Sequence, residues 1–236
     1  MSNSVKSDRL KVGYFHIPPY FYDTEEVDSN KPGLIIEIYH KMFPTLGIEY
    51  QLIRLPASRL KRMAQQQRLD LILVAHFFTH SFSEKFFCSQ AIFSDYPTLY
   101  QNTNQPELTD ISKLQNQLIL VTQESYSFLK NYLPKDNFYQ SIAWPQSMIN
   151  MFIKKRAFYI LDYESRIGDR LSQRLPESKY RKYILDEIPI VICINKKYPK
   201  SIDILDAIVK YLIDYQDTKE GKFVFKKYNY HGRFGE

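Results

Sequence analysis

No apolar run in this 236-residue chain approaches the roughly 20 residues needed to cross a bilayer. The stretch from Met1 to Lys11 also lacks the apolar centre of a secretory signal. The expectation is a soluble chain, either cytoplasmic or one whose export signal has been removed. Cysteine is scarce, with Cys88 and Cys193 the whole complement. The two fit no metal-ligand spacing, and two buried free thiols are the ordinary outcome for such a pair. Charge of one sign is not gathered in one place. The net charge is +6, and the basic clusters (Lys154, Lys155 and Arg156; Lys179, Arg181 and Lys182; Lys196 and Lys197) fall on different elements. That scatter argues against a nucleic-acid partner, which would want them on one face. They read as solvated faces, with an anionic ligand or a membrane surface as the alternative. Nor is any tract polar enough to stay disordered, since 44% hydrophobic and 25% charged content are globular values.

What is present centres on Leu69 to Phe93, LDLILVAHFFTHSFSEKFFCSQAIF. Leu69 to Ala75, broken only by Asp70, has the pattern of a strand buried on both faces of a parallel sheet. Beyond Ala75 come two histidines, six phenylalanines, hydroxyls and charges. In an open α/β sheet, ligands sit outside the carboxyl ends of the strands, so this mixture is a candidate binding wall; a surface loop over a small satellite core is the alternative. Leu10 to Gly13 forms an earlier strand, followed by YFHIPPYFY, in which Pro18 and Pro19 forbid a helix and hold Tyr14, His16, Tyr20 and Phe21 on an extended loop. Rigid aromatics there suit stacking on a ligand or packing on neighbouring loops.

After Lys31, Pro32 and Gly33, a helix carries Leu34, Ile35, Ile38 and Met42 at helical spacing. Ile48 to Leu55 is a second strand, and Arg59 opens a helix leading back to the Leu69 strand. This alternation signals a parallel sheet with crossover helices. From Ser94 to Pro106 the texture changes and a second unit begins. Its strands are expected at Leu118 to Val121, Tyr139 to Ala143 and Phe158 to Leu161, the last ended by Asp162, with helices at Phe128 to Leu133 and Ser147 to Lys155. The apolar run Ile188 to Ile194 and helices at Ile202 to Tyr215 and Gly221 to Tyr228 close the chain.

Taken together, LKVG before the Pro-Pro-aromatic loop, Gly33 with Glu37, Pro56 with Arg59, Cys88-Ser89 standing eighteen and nineteen residues after Asp70, and IPIVICINKKYP near the end form an ordered set. In that order the chain resembles the bacterial extracellular solute-binding proteins that serve polar-amino-acid ABC importers, from Leu10 to Tyr228. The resemblance implies a class II periplasmic-binding-protein fold. Two α/β lobes, each a mostly parallel sheet flanked by helices, would be joined by two crossing strands and would hold a small-molecule ligand in the cleft between them. Lobe 1 would comprise residues 1–94 and 189–236, and lobe 2 residues 95–188. It also places the strands of Cys88 and Cys193 near the hinge, where a disulfide is geometrically conceivable in an oxidising periplasm, although a free buried pair is expected.

Carried over position by position, the resemblance breaks at the ligand carboxylate. Relatives fix it with an arginine twelve residues after the aspartate of this strand, where a planar guanidinium forks onto two oxygens. Here that position is Phe82, and the relatives' hydroxyl five residues earlier is Phe77. These two phenylalanines are read as an apolar or stacking wall, with lobe core as the alternative. Asp162 stands where relatives pair an aspartate with the substrate ammonium; as a helix cap it would be equally suited. Thr122, Ser125 and Tyr126 form a turn before a helix, where hydroxyls and N–H groups suit an anionic or carbonyl group, though Glu124 replaces the relatives' glycine. Arg59 either reaches the cleft or pairs with an acidic neighbour. His16, His76 and His80 are available to a ligand or a metal, and nothing in their spacing requires a metal.

The expected function is capture of a small polar or aromatic, amine-bearing solute by a monomeric periplasmic protein without cofactor or metal. Its partner is the permease of an ABC importer. A ligand-sensing domain for a membrane signalling protein is the first alternative. A dehydratase-like enzyme is the second, which would need an acid and a base such as His76 with Glu84 or Asp162.

Overall fold

The computed structural model describes residues 9–17, 19–22, 32–123, 125–228, 230 and 232–235. Pro18, Lys31 and Glu124, which enter the sequence reading, lie outside these. The chain forms two compact units, Met1–Ser94 with Pro189–Glu236, and Asp95–Ile188. It begins with strand β1 (Leu10–Tyr14), helix α1 (Leu34–Thr45), β2 (Tyr50–Arg54), α2 (Ala57–Gln65) and β3 (Leu71–Ala75). A 3-10 helix, His76–Ser81, then leads to β4 (Phe86–Cys88) and β5 (Phe93–Asp95). The second unit follows as β6 (Pro97–Asn102), β7 (Leu118–Thr122), α3 (Tyr126–Leu129), β8 (Phe138–Ile142), α4 (Pro145–Ile153), β9 (Tyr159–Tyr163), α5 (Glu164–Ser172) and β10 (Tyr180–Ile184). The chain returns through β11 (Ile188–Asn195) and ends in α6 (Ser201–Gln216) and α7 (Lys219–Lys227).

Neither sheet is mostly parallel. The first runs β2-β1-β3-β11-β4, with β5 also paired to β11; β1 lies parallel to β2 and β3, whereas β11 is antiparallel to β3 and β4. The second runs β10-β6-β9-β7-β8 and divides the same way, parallel at β8-β7-β9 and antiparallel at β9-β6-β10. The departure from an all-parallel sheet has a local cause. β6 and β11 are not preceded by crossover helices packed on their own sheet, so they enter it from the opposite end. Strands β6 and β10 carry no signal of their own in the sequence, being set among prolines, amides and charges.

Strand alternation divides each unit's core in two. In β3, Leu71 and Leu73 join one cluster with α1 and α6, while Ile72 and Val74 join another with α2. β11 repeats the split, with Ile192 and Ile194 on the first side and Val191 and Cys193 on the second. In the second unit Tyr100, Leu120 and Ile160 face α4 and α5, and Leu99, Val121 and Leu161 face the opposite layer. Each such side chain contributes roughly 1.5–3 kcal/mol by burial. This two-sided burial is why the central strands read as continuous apolar runs.

The loop after β1 is tied to α1 by backbone. Leu34 N donates to Pro19 O at 2.9 Å and Ile35 N to Tyr20 O at 3.0 Å, which satisfies two of the helix's orphan amides. Gly33 at φ 123° makes this possible, because a Cβ there would stand 2.4 Å from Tyr20 O. Tyr228 locks the same corner from the far end of the chain. Its hydroxyl accepts from Gly33 N at 3.1 Å and donates to Glu37 Oε1 at 2.7 Å, and Lys227 pairs with the same carboxylate.

Cys88 and Cys193 stand directly opposite in β4 and β11, with Cα atoms 4.0 Å apart, and they are disulfide-bonded. The free buried pair expected from the sequence is replaced by a bond, because register brings the two β-carbons together. The bond closes a loop of sequence separation 105. The double variant Cys88→Ala/Cys193→Ala is therefore expected to lose about 2–5 kcal/mol in urea unfolding. A wild-type midpoint that is the same with and without reductant would contradict this.

Candidate functional site

At the carboxyl end of β9, Asp162 is wholly buried and meets the cation of Arg166, which is 4% exposed and one turn into α5; Arg166 Nε lies 4.0 Å from Asp162 Oδ1. Asp162 sits inside the strand and Tyr163 takes the N-cap position, so the carboxylate does not cap the helix. Its oxygens are spent elsewhere. Oδ1 accepts from Tyr163 N at 2.8 Å and Ser125 Oγ at 3.1 Å, and Oδ2 accepts from Thr122 N at 3.3 Å. Arg166 Nη1 donates to Thr122 Oγ1 at 2.6 Å and to Ser125 Oγ at 3.1 Å, while Thr122 Oγ1 donates to Ser125 Oγ at 3.0 Å. Each hydroxyl thus gives its one proton inside the network, which runs from guanidinium through hydroxyls to carboxylate.

A second carboxylate backs this group. Asp95, 5% exposed, accepts from Tyr96 N at 2.9 Å and from Ser165 Oγ at 2.6 Å. Burial raises its pKa, against the lowering effects of Ser165, Tyr96 and Arg166. Tyr163, which follows Asp162 in sequence, is pushed up in pKa by burial and then by Asp95 and Asp162. The arrangement pairs Asp162 with a cation of its own unit. Asp162, expected to meet a solute ammonium, is paired in this arrangement with Arg166, which the sequence reading passed over. Its signal was present: an arginine stands four residues after an acid at a strand end, in the first turn of the helix that follows. The turn is likewise no open anion seat. Thr122 and Ser125 are each 2% exposed, Ser125 N donates to Thr122 O, and α3 is only four residues long. Tyr126, half-buried, has Lys130 Nζ 5.4 Å from its ring centre.

In the first unit, β2, β1 and β3 are parallel neighbours, so their carboxyl ends lie along one edge of the sheet. Tyr14 ends β1 there and His16 follows it, both half-buried, with Tyr14 stacked on Phe21 at 5.3 Å and His16 edge-on to Tyr22 at 6.4 Å. Arg59 is exposed on the first turn of α2, after β2. Past β3, His76 and His80 are exposed with ring centres 6.1 Å apart, and Phe77, 42% exposed, lies against Phe78 at 4.5 Å.

Three aromatics expected at a ligand are core residues instead. Tyr20 stacks on Phe93 at 4.4 Å and Phe21 packs among Tyr14, Tyr39 and the α1 core, because their backbone is held down by the start of that helix. Phe82 is 3% exposed and fills the cluster of Leu55, Leu60 and Ala64, edge-on to Phe86 at 5.3 Å. A groove of 460 Å³ in the same unit is lined by Ser89, Gln90 and one face of α6 from Leu205 to Asp214, and contains none of the residues singled out from the sequence. Among the described residues, no group of three His, Cys, Asp or Glu side chains is placed to hold a metal ion, and no helix is long and apolar enough to cross a membrane.

No protein-family model matches the chain, and no curated protein does. Solved structures match over nearly its whole length. The GluR0 ligand-binding core in complex with L-glutamate is 13% identical, with TM-score 0.69 over 94% of this chain and 99% of that one. The GluR0 ligand-binding core from Nostoc punctiforme, also with L-glutamate, is 16% identical with TM-score 0.65 over 93% and 98%. A binding component of an ABC transporter from Wolinella succinogenes complexed with lysine is 12% identical with TM-score 0.69 over 93% and 95%. At these identities the likeness is one of fold, the two-lobed class II periplasmic-binding-protein architecture.

Two expectations follow from the buried acids. Arg166→Met strands the Asp162 carboxylate without its cation and should cost about 3–5 kcal/mol, part of which Asp162→Asn added to it should restore; denaturation of the single variant at wild-type denaturant would overturn this. Asp95 has a raised folded pKa, so its stabilising contribution is complete below the unfolded value near 3.9 and is lost as pH rises through the folded value. The stability of Asp95→Asn relative to wild type should therefore improve between about pH 4 and pH 7, as read from urea midpoints at both.

Proposed function

We propose that this chain is an extracytoplasmic solute-binding protein that captures a small polar or aromatic molecule and delivers it unaltered to a membrane permease of the ABC type. The observation that supports this most is the agreement of fold, over more than nine-tenths of the chain, with proteins whose structures hold L-glutamate or lysine. The disulfide agrees with an oxidising compartment.

The residues assigned to the solute in the first unit stand along the carboxyl edge of β1 to β3: Tyr14, His16, Arg59, His76 and Phe77. In an open α/β sheet this edge is where ligands bind, and here it offers ring faces, imidazoles and one guanidinium. In the second unit Thr122, Ser125, Tyr126 and Asp162 shape the loop ends after β7 and β9, with Arg166 holding them. Since Phe82 is core, no arginine clamp forks onto a solute carboxylate from that position. Since Asp162 is already paired, an α-ammonium group must displace Arg166 or be met elsewhere. Solutes with a planar ring suit this set better than simple zwitterions.

A sensing role is the second reading, favoured by the full-length likeness to a ligand-binding core. A permease gene beside this one would decide for import. Thermal-shift screening against a metabolite library tests the main reading. An aromatic or heteroaromatic solute is expected to raise Tm, Phe77→Ala should abolish that rise without lowering Tm of the free protein, and mass spectrometry should recover the solute unchanged. Stabilisation by α-amino acids that persists in Phe77→Ala, or conversion of the solute, would overturn it.

A further inference from the structure

The 3-10 helix after β3 holds two imidazoles on a platform that is unusually well fixed for an exposed segment. Thr79 Oγ1 donates to His76 O and Ser81 Oγ to Phe78 O, both at 2.8 Å, and Phe82 N donates to Thr79 O at 3.0 Å. Phe82 itself is anchored in the core. The segment is therefore braced by its own hydroxyls and anchored at its far end in the α2 cluster. On this platform the rings of His76 and His80 stand 6.1 Å apart, centre to centre, with their planes at 77°. Two imidazoles that ligate one ion through nitrogen at 2.0–2.1 Å keep their ring centres roughly 5–6 Å apart. A small rotamer change closes the difference, and a fixed backbone lowers what ordering the pair would cost.

We propose that His76 and His80 together bind one divalent transition-metal ion of the imidazole-preferring kind, Zn²⁺, Ni²⁺ or Cu²⁺. Imidazole nitrogen suits these ions and not Mg²⁺ or Ca²⁺, which take oxygen. With no third protein donor grouped there among the described residues, positions on the ion stay open to water or to amine and carboxylate donors of a small molecule. The site stands at the carboxyl end of β3, but it does not depend on the solute-binding reading and can be tested with the metal alone.

The experiment is a titration of the purified, untagged protein with Zn²⁺ by calorimetry and with Cu²⁺ by electron paramagnetic resonance. One ion per chain and a hyperfine pattern from two nitrogens are expected. His76→Ala and His80→Ala should each weaken binding by roughly tenfold or more, the consequence of losing one of two linked donors. His40→Ala, on α1, should leave it unchanged. Uptake that survives either of the first two substitutions, a one-nitrogen pattern, or no uptake at submillimolar Zn²⁺ would overturn the proposal, and circular dichroism confirms that each variant is folded.

Discussion

The first sheet has no continuous middle until the chain comes back to supply it. β11 pairs with β3 on one side and β4 on the other, so Ile192 and Ile194 complete one face of the core and Val191 and Cys193 the other. Without that strand, β4 has no partner among the described strands and β3 presents an open edge with half-buried apolar residues on both faces, which is an unstable arrangement in water. What positions the candidate residues of the first unit rests on this return. The carboxyl edge of β1 to β3 is held by a sheet that is assembled from both ends of the sequence. The latch of Tyr228 and Lys227 on Glu37 and Gly33 repeats the theme at the helices.

The second unit solves a different problem, the burial of charge. Two carboxylates and one guanidinium lie almost without solvent contact, which is costly unless every polar atom finds a partner. The chain meets most of that demand with short side chains and backbone amides of the same few loops: Thr122, Ser125, Tyr96, Ser165 and Tyr163. The result is a rigid end to β7 and β9, where the side chains hold one another. Groups held in this way present the surface residues beside them in one geometry.

Much of the architecture was legible because two-sided burial leaves a plain trace. LILVA, VICI and LILV are apolar at both alternations, and α1 and α6 keep helical spacing of their apolar residues. What the sequence hid was β6 and β10: β6 is buried by its neighbours rather than by hydrophobicity, with Thr98 and Gln101 wholly buried although polar, and β10 has no fully buried residue to leave an apolar trace. The candidate site was harder to read, and for a physical reason. An aromatic residue beside a strand end looks the same whether its ring faces a ligand or the core, and the direction depends on backbone contacts such as Tyr20 O with Ile35 N, which spacing does not reveal. Tyr20, Phe21 and Phe82 went one way and Phe77 the other. Arg166 was overlooked because arginine is ordinarily a surface residue, and its burial follows only from the acids around it.

The disulfide joins β4 and β11, which bracket the second unit in sequence, so the whole second unit is carried on a covalent ring. A protease that cuts anywhere within that ring severs the backbone yet releases nothing. Both pieces stay attached at the base of β4 and β11, where the sheet holds them in register. A single nick in that stretch therefore leaves one covalent particle until a reductant opens the bond.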